Sequence, residues 1–219
     1  MRTVEKVALF ASIVAVIVLV LMLLRPWIYG SQYTFEYLRG RAVEVAEAIE
    51  QRHPVRLVED WSTEHVSLTL AIIKPKEEPL ILSLEYGRLR IKVPVYAKEI
   101  EVIRGSPPDK GFERFRRVSV YHEGSWVIVD PKPTVNYYVV MEYGRMVHVV
   151  EITLFIIKGK LEPGVTLSYA NSTKVVYLRS YDYAGIASIT IDGEVVARIH
   201  VKPQDLLKLV IVCECWSTG

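Results

Sequence analysis

The side chains best suited to chemistry are five histidines and two cysteines, and their spacing does not favour catalysis. No two histidines have the separation typical of a metal site. They stand at His53, His65, His122, His148 and His200. The sequence also has no G-x-S-x-G nucleophile motif, phosphate-binding loop or dinucleotide fingerprint. We therefore expect no catalytic residue, no metal ligand and no cofactor, and a protein that is not an enzyme.

The two cysteines, Cys213 and Cys215, lie in the apolar segment LLKLVIVCECW. Residues two apart in a flat strand share one face, and a disulfide between them would close a ring that such a strand does not easily accommodate. Two interpretations stay open. The thiols bind a metal or react across a subunit contact, or they stay reduced and pack as small hydrophobes.

Two further features are candidates for surface recognition. Asn171 begins the sequence Asn-Ser-Thr, which is a glycan acceptor pattern in an exported chain and a chance tripeptide in any other. Tyrosine is abundant, with 13 residues, and the pairs Tyr137–Tyr138 and Tyr181/Tyr183 lie close together in the sequence. A tyrosine surface binds glycan or protein partners well, while strand propensity alone also explains many tyrosines.

The segment Val7–Leu24 indicates whether the protein is attached to a membrane. It contains no charge, Gly or Pro, and 13 of its 18 residues are Val, Leu, Ile or Phe. As a helix it would be about 27 Å long, close to the roughly 30 Å hydrocarbon core of a bilayer. Those side chains favour insertion by about 4 to 8 kcal/mol as an upper limit. We predict a single-pass anchor over residues 1–30 rather than a buried globular helix.

The residues that follow Val7–Leu24 indicate whether this segment is cleaved from the mature protein. A cleaved secretory signal usually has a shorter apolar run and small residues at the cut. Here Arg25 and Pro26 follow the run, and Trp27, Tyr29 and Tyr33 are typical of an interfacial aromatic belt. The sequence therefore favours an anchor that is retained in the mature protein.

Small residues on the first half of the anchor predict a helix contact. Ala8 and Ser12 are four residues apart, and Ala11 and Ala15 form a second such pair. Small residues at this spacing allow membrane helices to pack closely. We hypothesise that these four residues contact a second copy of the chain or an assembly platform.

An amphipathic helix is expected directly after the anchor, over residues 31–53. Apolar residues recur there at mostly three- and four-residue steps, at Phe35, Leu38, Ala42, Val45, Ala46 and Ile49. Because the residue before a proline avoids the α region, the helix should end by His53–Pro54.

The rest of the chain alternates apolar and polar residues with period two, which predicts a mainly β fold with sandwich-like regions. Turns are expected at Tyr86–Gly87, Glu123–Gly124, Tyr143–Gly144 and Asp192–Gly193. Two Gly and two Pro within residues 104–113 predict a linker. It would divide a small β region at 54–103, packed on the amphipathic helix, from a β-sandwich-like domain at 114–219.

The amino-acid composition bears on the partners of the protein and on the temperature at which it works. The net charge is +2 without a strong basic cluster, so we expect no nucleic-acid partner. Asn occurs only at positions 136 and 171 and Gln only at 32, 51 and 204, while 24% of the residues are charged. Few amides and many charges are typical of thermophiles.

An apolar helix, an amphipathic helix containing AVEVAEAIEQ and a β-rich head together resemble archaeal type IV pilin-like proteins in layout. The resemblance implies an external β head and assembly through the apolar helix. The segment MRTVEKVALF has no Gly or Ala before Glu5, where the family is processed, which predicts a relative that stays in the membrane.

We therefore expect a membrane-anchored structural or interaction component of the cell envelope with its β head outside, as a pilin-like subunit or the anchor of a surface appendage. The alternative is a membrane-tethered binding module for a glycan or an envelope protein. The partners expected are the membrane and either the chain itself or an assembly platform.

Overall fold

The computed structural model describes residues 2–75, 78–113, 117–174, 179–181 and 185–219, with side chains at all of these except 2–12, 15, 21–29, 31, 172–174 and 179–181. Within these ranges the chain forms one helix followed by eleven strands. They are α1 (Arg2–Gln51), β1 (Val55–Leu57), β2 (Trp61–Ile73), β3 (Leu80–Arg104), β4 (Ser119–Asp130), β5 (Thr134–Glu142), β6 (Arg145–Lys158), β7 (Val165–Lys174), β8 (Arg179–Tyr181), β9 (Gly185–Ile191), β10 (Glu194–Val201) and β11 (Leu206–Thr218). The predicted mainly β fold is confirmed.

The strands form two sheets. Sheet A has the order β1-β7-β11-β6-β5, with β8 also paired to β11, and sheet B has the order β10-β9-β2-β3-β4. Strands β6 and β11 run parallel, and the other pairs described are antiparallel. The apolar strand β11 therefore lies inside sheet A, with neighbours on both sides.

The sheets do not follow the division predicted at residues 104–113. Strand β3 precedes this segment and pairs with β4, which follows it. Strand β2 pairs with β9, which comes more than a hundred residues later in the chain. Backbone hydrogen bonds therefore join the predicted small β region to the predicted sandwich-like domain within one sheet.

The segment 104–113 is a packed loop and not an open linker. Phe112 and Glu113 are buried. The Glu113 carboxylate accepts hydrogen bonds from the Ser106 hydroxyl and from Lys110 Nζ, the latter at 3.1 Å. Lys132 Nζ donates to the carbonyl of Pro107. These contacts hold the loop against β4 and β5 despite its Gly and Pro content.

Two of the predicted tight turns are confirmed. Tyr143 and Gly144 join β5 to β6 with φ of 52° and 77°, and Asp192 and Gly193 join β9 to β10 with φ of 48° and 84°. Two central residues with positive φ match the right-handed twist of the flanking strands. Asp192 also accepts a hydrogen bond from the Thr69 amide at 2.7 Å.

The turn predicted at Tyr86–Gly87 is wrong, because β3 continues through both residues as one strand. Its pairing with β2 runs through this point without a register shift. A Cβ at Gly87 would lie 3.6 Å from the side chain of Ile157 in sheet A. Gly87 therefore marks a contact between the sheets, where a larger side chain would meet the opposite strand.

The turn predicted at Glu123–Gly124 is also wrong, because β4 is continuous from Ser119 to Asp130. Gly124 has a φ of 59° and lies opposite Ala97 of β3, where the register shifts. In a G1-type bulge, a glycine adopts the same positive φ that a tight turn requires. The glycine therefore bends the strand without reversing it.

The second half of α1 packs on the head with the predicted apolar stripe. The helix ends at Gln51, just before His53–Pro54. All six residues of the stripe are buried, in one cluster with side chains of both sheets. The cluster's members in the head include Leu57, Trp61, Leu89, Ile91, Val120, Val127, Val129, Phe155, Leu167 and Trp216.

The first half of α1 contains the apolar segment. Its described side chains at 13, 14 and 16–20 are between 42% and 59% exposed. Among the residues that the structure describes, no helix combines the length and apolar character needed to cross a membrane. The transmembrane assignment of residues 1–30 stays a prediction.

Three donors converge on Glu59 where α1 meets the head. Tyr37 Oη and Arg41 Nε of the helix lie 2.9 and 3.0 Å from one carboxylate oxygen, and Trp61 Nε1 lies 3.1 Å from the other. Burial raises the pKa of Glu59, but the hydrogen bonds from Trp61, Tyr37 and Arg41 outweigh it. The net pKa of this carboxyl group therefore lies below its ordinary value.

Glu59→Gln is expected to lower the free energy of unfolding by about 1.5 to 3 kcal/mol at pH 7, because hydrogen bonds to a charged acceptor are lost. A carboxyl group with a depressed folded pKa stabilises the protein above its unfolded pKa, near 4.5. This stabilisation is lost as the pH falls through the folded value. Denaturant unfolding of the full chain between pH 3 and 7 measures it.

Glu44→Gln is the matched control, because Glu44 pairs with the same Arg41 but is 60% exposed. An exposed ion pair contributes less than about 1 kcal/mol. A Glu59→Gln difference that stays constant across this pH range would contradict the expectation.

Candidate functional site

The hairpin of β5 and β6 carries a group of exposed apolar and aromatic side chains. Tyr143 at its tip is fully exposed, and Met141 is 73% exposed. The other members are Tyr137, Tyr138, Val139 and Met146, which are between 40% and 47% exposed. We call the segment Tyr137–Tyr143 the β5 edge. Exposed aromatic and Met side chains next to one another are typical of protein-binding surfaces.

On its outer side, the backbone of the β5 edge pairs with no strand in the described ranges of the chain. Strand β5 ends sheet A and pairs with β6 from Thr134 to Glu142. Because Glu142 and Arg145 close a two-residue turn, the odd-numbered residues direct their N–H and C=O groups away from β6. The amide of Val135 confirms this direction, since it donates to the carbonyl of Glu113 at 2.9 Å.

Beyond Val135, the amides and carbonyls of Tyr137, Val139 and Met141 have no strand partner among the described residues. Three residues therefore offer a ladder of donors and acceptors to a further strand.

The outer strands β1, β4 and β10 in the described part of the chain are protected. Strand β1 has only three residues. Strand β4 packs against α1 through Val120, Val127 and Val129. Strand β10 carries Glu194 and Arg198, and charged side chains on an edge oppose pairing. Residues 135–141 contain no charge and no proline, so the β5 edge lacks these protections.

A polar relay holds the first tyrosine of the β5 edge. Tyr137 Oη lies 2.7 Å from His148 Nδ1, and His148 Nε2 lies 3.4 Å from Asp205 Oδ2. His148 and Asp205 are buried, whereas Tyr137 is 47% exposed. Burial raises the pKa of Tyr137, so the phenol stays protonated and is a poor nucleophile. The relay therefore orients the ring for binding and does not prepare it for nucleophilic attack.

A cavity of about 450 Å³ lies beside the relay, between β5 and β10. Its walls are mainly apolar, from Phe112, Val135 and residues 196–199, and Tyr137 contributes its ring. The cavity and the β5 edge together form a mainly apolar surface, with Tyr137 and Arg198 as polar groups, which is the usual composition of a recognition site.

A second polar cluster joins β2, β3 and β4. Arg88 donates to Glu64 at 2.8 Å and to the Tyr121 hydroxyl at 2.6 Å, and Tyr121 lies 3.4 Å from Asp130. Burial raises the pKa of Asp130, and the charges of Arg88 and Lys132 oppose that rise. Because buried charges need partners, we interpret this cluster as a structural link between strands.

A polar cavity of about 300 Å³ lies near the C-terminal end of α1. Arg52 Nε lies 3.5 Å from the buried Glu214, and Lys132 and Glu151 also line the cavity. Burial lowers the pKa of Lys132, opposed by Asp130. Charges of both signs face each other here, which satisfies them locally and selects no particular ligand.

The structure describes only some of the residues singled out in the sequence. The side chains of Ala8, Ala11, Ser12 and Ala15 lie outside those described, so their contact hypothesis stays a prediction. Asn171 is exposed on β7, opposite Cys215 of β11. The side chain of Tyr181 and the whole of Tyr183 also lie outside the described part.

The two cysteines are free thiols on β11, with Cys213 half-buried and Cys215 buried. Burial raises the pKa of Cys213, and the neighbouring Cys215 adds to this effect. A raised pKa disfavours the thiolate that a metal or an exchange reaction requires. No three His, Cys, Asp or Glu side chains in the described ranges are grouped as a metal site. The packing interpretation of the pair is therefore favoured.

Sequence reasoning found Tyr137 and Tyr138 as a candidate surface but missed the relay. His148 is 11 residues from Tyr137 and Asp205 is 57 residues from His148, so no local motif joins them. For the exposed strand itself, the sequence did offer a signal, which is the uncharged run of residues 135–141 shortly before the turn at Tyr143–Gly144.

Comparison with known proteins adds no assignment. No protein-family model, curated protein or solved structure matches the chain.

Proposed function

We propose that the chain is a membrane-anchored structural or interaction component of the cell envelope, with its β head outside. The observation that carries this proposal is that the two halves of one continuous helix differ in their surroundings. Helix α1 runs from Arg2 to Gln51, and its second half is built into the core of the head. The apolar segment Val7–Leu24 forms part of the first half.

Exposure of the apolar segment supports a lipid environment. Residues 16–20 are all apolar and all at least 43% exposed. Five consecutive residues exceed one helical turn of about 3.6 residues, so apolar side chains point in every direction. A helix on a soluble surface would have a polar face. Insertion of this helical segment into a bilayer removes its apolar side chains from water on all sides.

The continuous helix also supports a pilin-like role. Its layout, an apolar first half and a second half embedded in a β head, is that of the archaeal type IV pilin-like proteins that the sequence resembles. We propose that such a subunit stays in the membrane and anchors an appendage.

A tethered binding module is the second candidate, and the β5 edge favours it. An exposed aromatic strand beside an apolar cavity is what a binding module needs and what a purely structural anchor does not. Both roles require the same anchor, so the first experiment addresses the anchor.

Ile17→Lys combined with Val20→Lys is expected to release the full chain from membranes. A lysine near the centre of a span costs about 2.5 to 3.5 kcal/mol, so two cancel most of the 4 to 8 kcal/mol that favours insertion. Alkaline carbonate extraction of membranes from expressing cells measures the change. We expect the unaltered chain in the pellet and the double variant largely in the supernatant.

The matched control is Gln32→Lys combined with Tyr33→Lys, which adds the same charge at exposed positions beyond the apolar segment. This control should stay in the pellet. Extraction of the unaltered chain by carbonate would contradict the anchor, and so would retention of the Ile17/Val20 variant.

A further inference from the structure

We propose that the β5 edge pairs antiparallel with the β5 edge of a second copy, so that two copies of sheet A become one continuous sheet. This inference rests on the interaction role proposed above. It concerns the head alone and does not depend on the membrane anchor.

The free backbone groups select one register. Tyr137, Val139 and Met141 direct their N–H and C=O groups outward, as shown above. An antiparallel pair centred on Val139 places Val139 opposite itself and Tyr137 opposite Met141 of the second copy. All three residues then exchange hydrogen bonds, about six in total. A centre at Val140 would use Tyr143, whose φ of 52° is incompatible with an extended strand.

A register of the antiparallel pair shifted toward the N-terminus, with its centre at Tyr138, is also excluded. A centre at Tyr138 would require the amide of Val135, which already donates to Glu113 at 2.9 Å. The register centred on Val139 therefore uses the free groups most completely.

The side chains are self-complementary in this register. Residues 135–141 carry no charge, and Glu142 lies opposite Asn136 of the second copy, so no like charges meet. Tyr137 lies opposite Met141, and a thioether beside an aromatic ring is favourable. Met141, which is 73% exposed in one copy, becomes covered. The relay to His148 keeps the Tyr137 ring in place, which reduces the entropy lost on pairing.

The second copy fits this edge better than a charged partner does. Residues 135–141 of the edge offer no charged side chain to pair with charges on a partner strand. Strand β5 of a second copy matches the edge in length, charge and alternation.

Val139→Cys provides a test specific to this register. In the proposed pair, the two Cα atoms at position 139 lie about 5.5 Å apart, within the range of a disulfide. The experiment uses the full chain with Cys213→Ala and Cys215→Ala, so that the chain contains no other cysteine. Mild oxidation should give a covalent dimer roughly ten-fold faster than Tyr143→Cys in the same background.

Tyr143→Cys is the control because Tyr143 is more exposed than Val139 but lies off the two-fold axis. Random collisions would cross-link it at least as fast. Faster cross-linking at position 143, or a product of Val139→Cys with a different protein, would overturn the proposal.

Val139→Lys gives a second test that needs no cysteine. A lysine on an exposed edge opposes strand pairing, and Val139 is 41% exposed, so the fold should persist with an unchanged circular dichroism spectrum. We expect the unaltered chain in detergent to have the mass of a dimer and the variant that of a monomer. A monomeric unaltered chain would overturn the pairing and leave the membrane anchor unaffected.

Discussion

Trp216→Ala is expected to lower the free energy of unfolding by about 3 to 5 kcal/mol, the usual loss for a large aromatic side chain in a packed core. Trp216 of β11 is completely buried. Its ring lies 5.9 Å from Phe155 and 5.8 Å from Tyr169, centroid to centroid, within the cluster that receives α1. Alanine would leave a cavity between sheet A and the helix. Denaturant unfolding of the full chain in detergent, followed by circular dichroism, measures the loss.

Trp216→Phe separates the effect of volume from that of the indole nitrogen. The Nε1 atom of Trp216 is buried and has no hydrogen-bond partner among the described residues. Phenylalanine retains most of the ring and removes this donor, so it should cost far less than alanine. Equal losses for the two variants would mean that packing at this position contributes little.

Ala46→Glu is expected to separate α1 from the head, at a loss of about 3 to 5 kcal/mol, because it buries an unpaired charge. Ala46 is 0% exposed, as are its helix neighbours Ala42 and Val45. The helix therefore lies directly on the sheets, with no space for a longer side chain. Limited proteolysis between residues 31 and 51 should become rapid in the variant, while the unaltered helix resists cleavage.

Gly40→Glu introduces the same residue on the same helix and is the matched control. Gly40 is exposed, and a Cβ there would meet no atom within 4 Å. Replacement of an exposed helix glycine gains up to about 1 kcal/mol in helix propensity. Resistance of the Ala46→Glu variant to proteolysis, at the level of the Gly40→Glu variant, would show that the helix does not need this contact.

Both large effects concern the helix–head core, which is also the part of the fold that the sequence predicted best. The three- and four-residue spacing from Phe35 to Ile49 identifies the buried face of α1, and the structure buries all six stripe residues. Such periodicity is local, because a helix brings residues three and four apart to one face whatever it packs against.

The sequence by itself determined the elements whose signals lie within a few residues. These are the amphipathic stripe and the turns at Tyr143–Gly144 and Asp192–Gly193. Each depends on backbone propensity or on side-chain period, and both are properties of the local chain.

Only the tertiary structure decided which strands are neighbours. Period-two alternation shows which side chains share a face, but it contains no information on which strand lies beside which. The predicted break at 104–113 failed for this reason, since hydrogen bonds between β3 and β4 join the two sides. Gly87 lies inside a continuous strand and Gly124 at a register shift, so a glycine alone did not identify a turn at either position.

The candidate site also depends on which strands are neighbours in sheet A. Tyr137, His148 and Asp205 meet because β6 lies between β5 and β11, with β11 parallel to it. Among the strands that the structure describes, β5 ends sheet A because β11 lies between β6 and β7. The sequence determined that residues 135–141 are uncharged, and the tertiary structure placed that uncharged strand at an open edge.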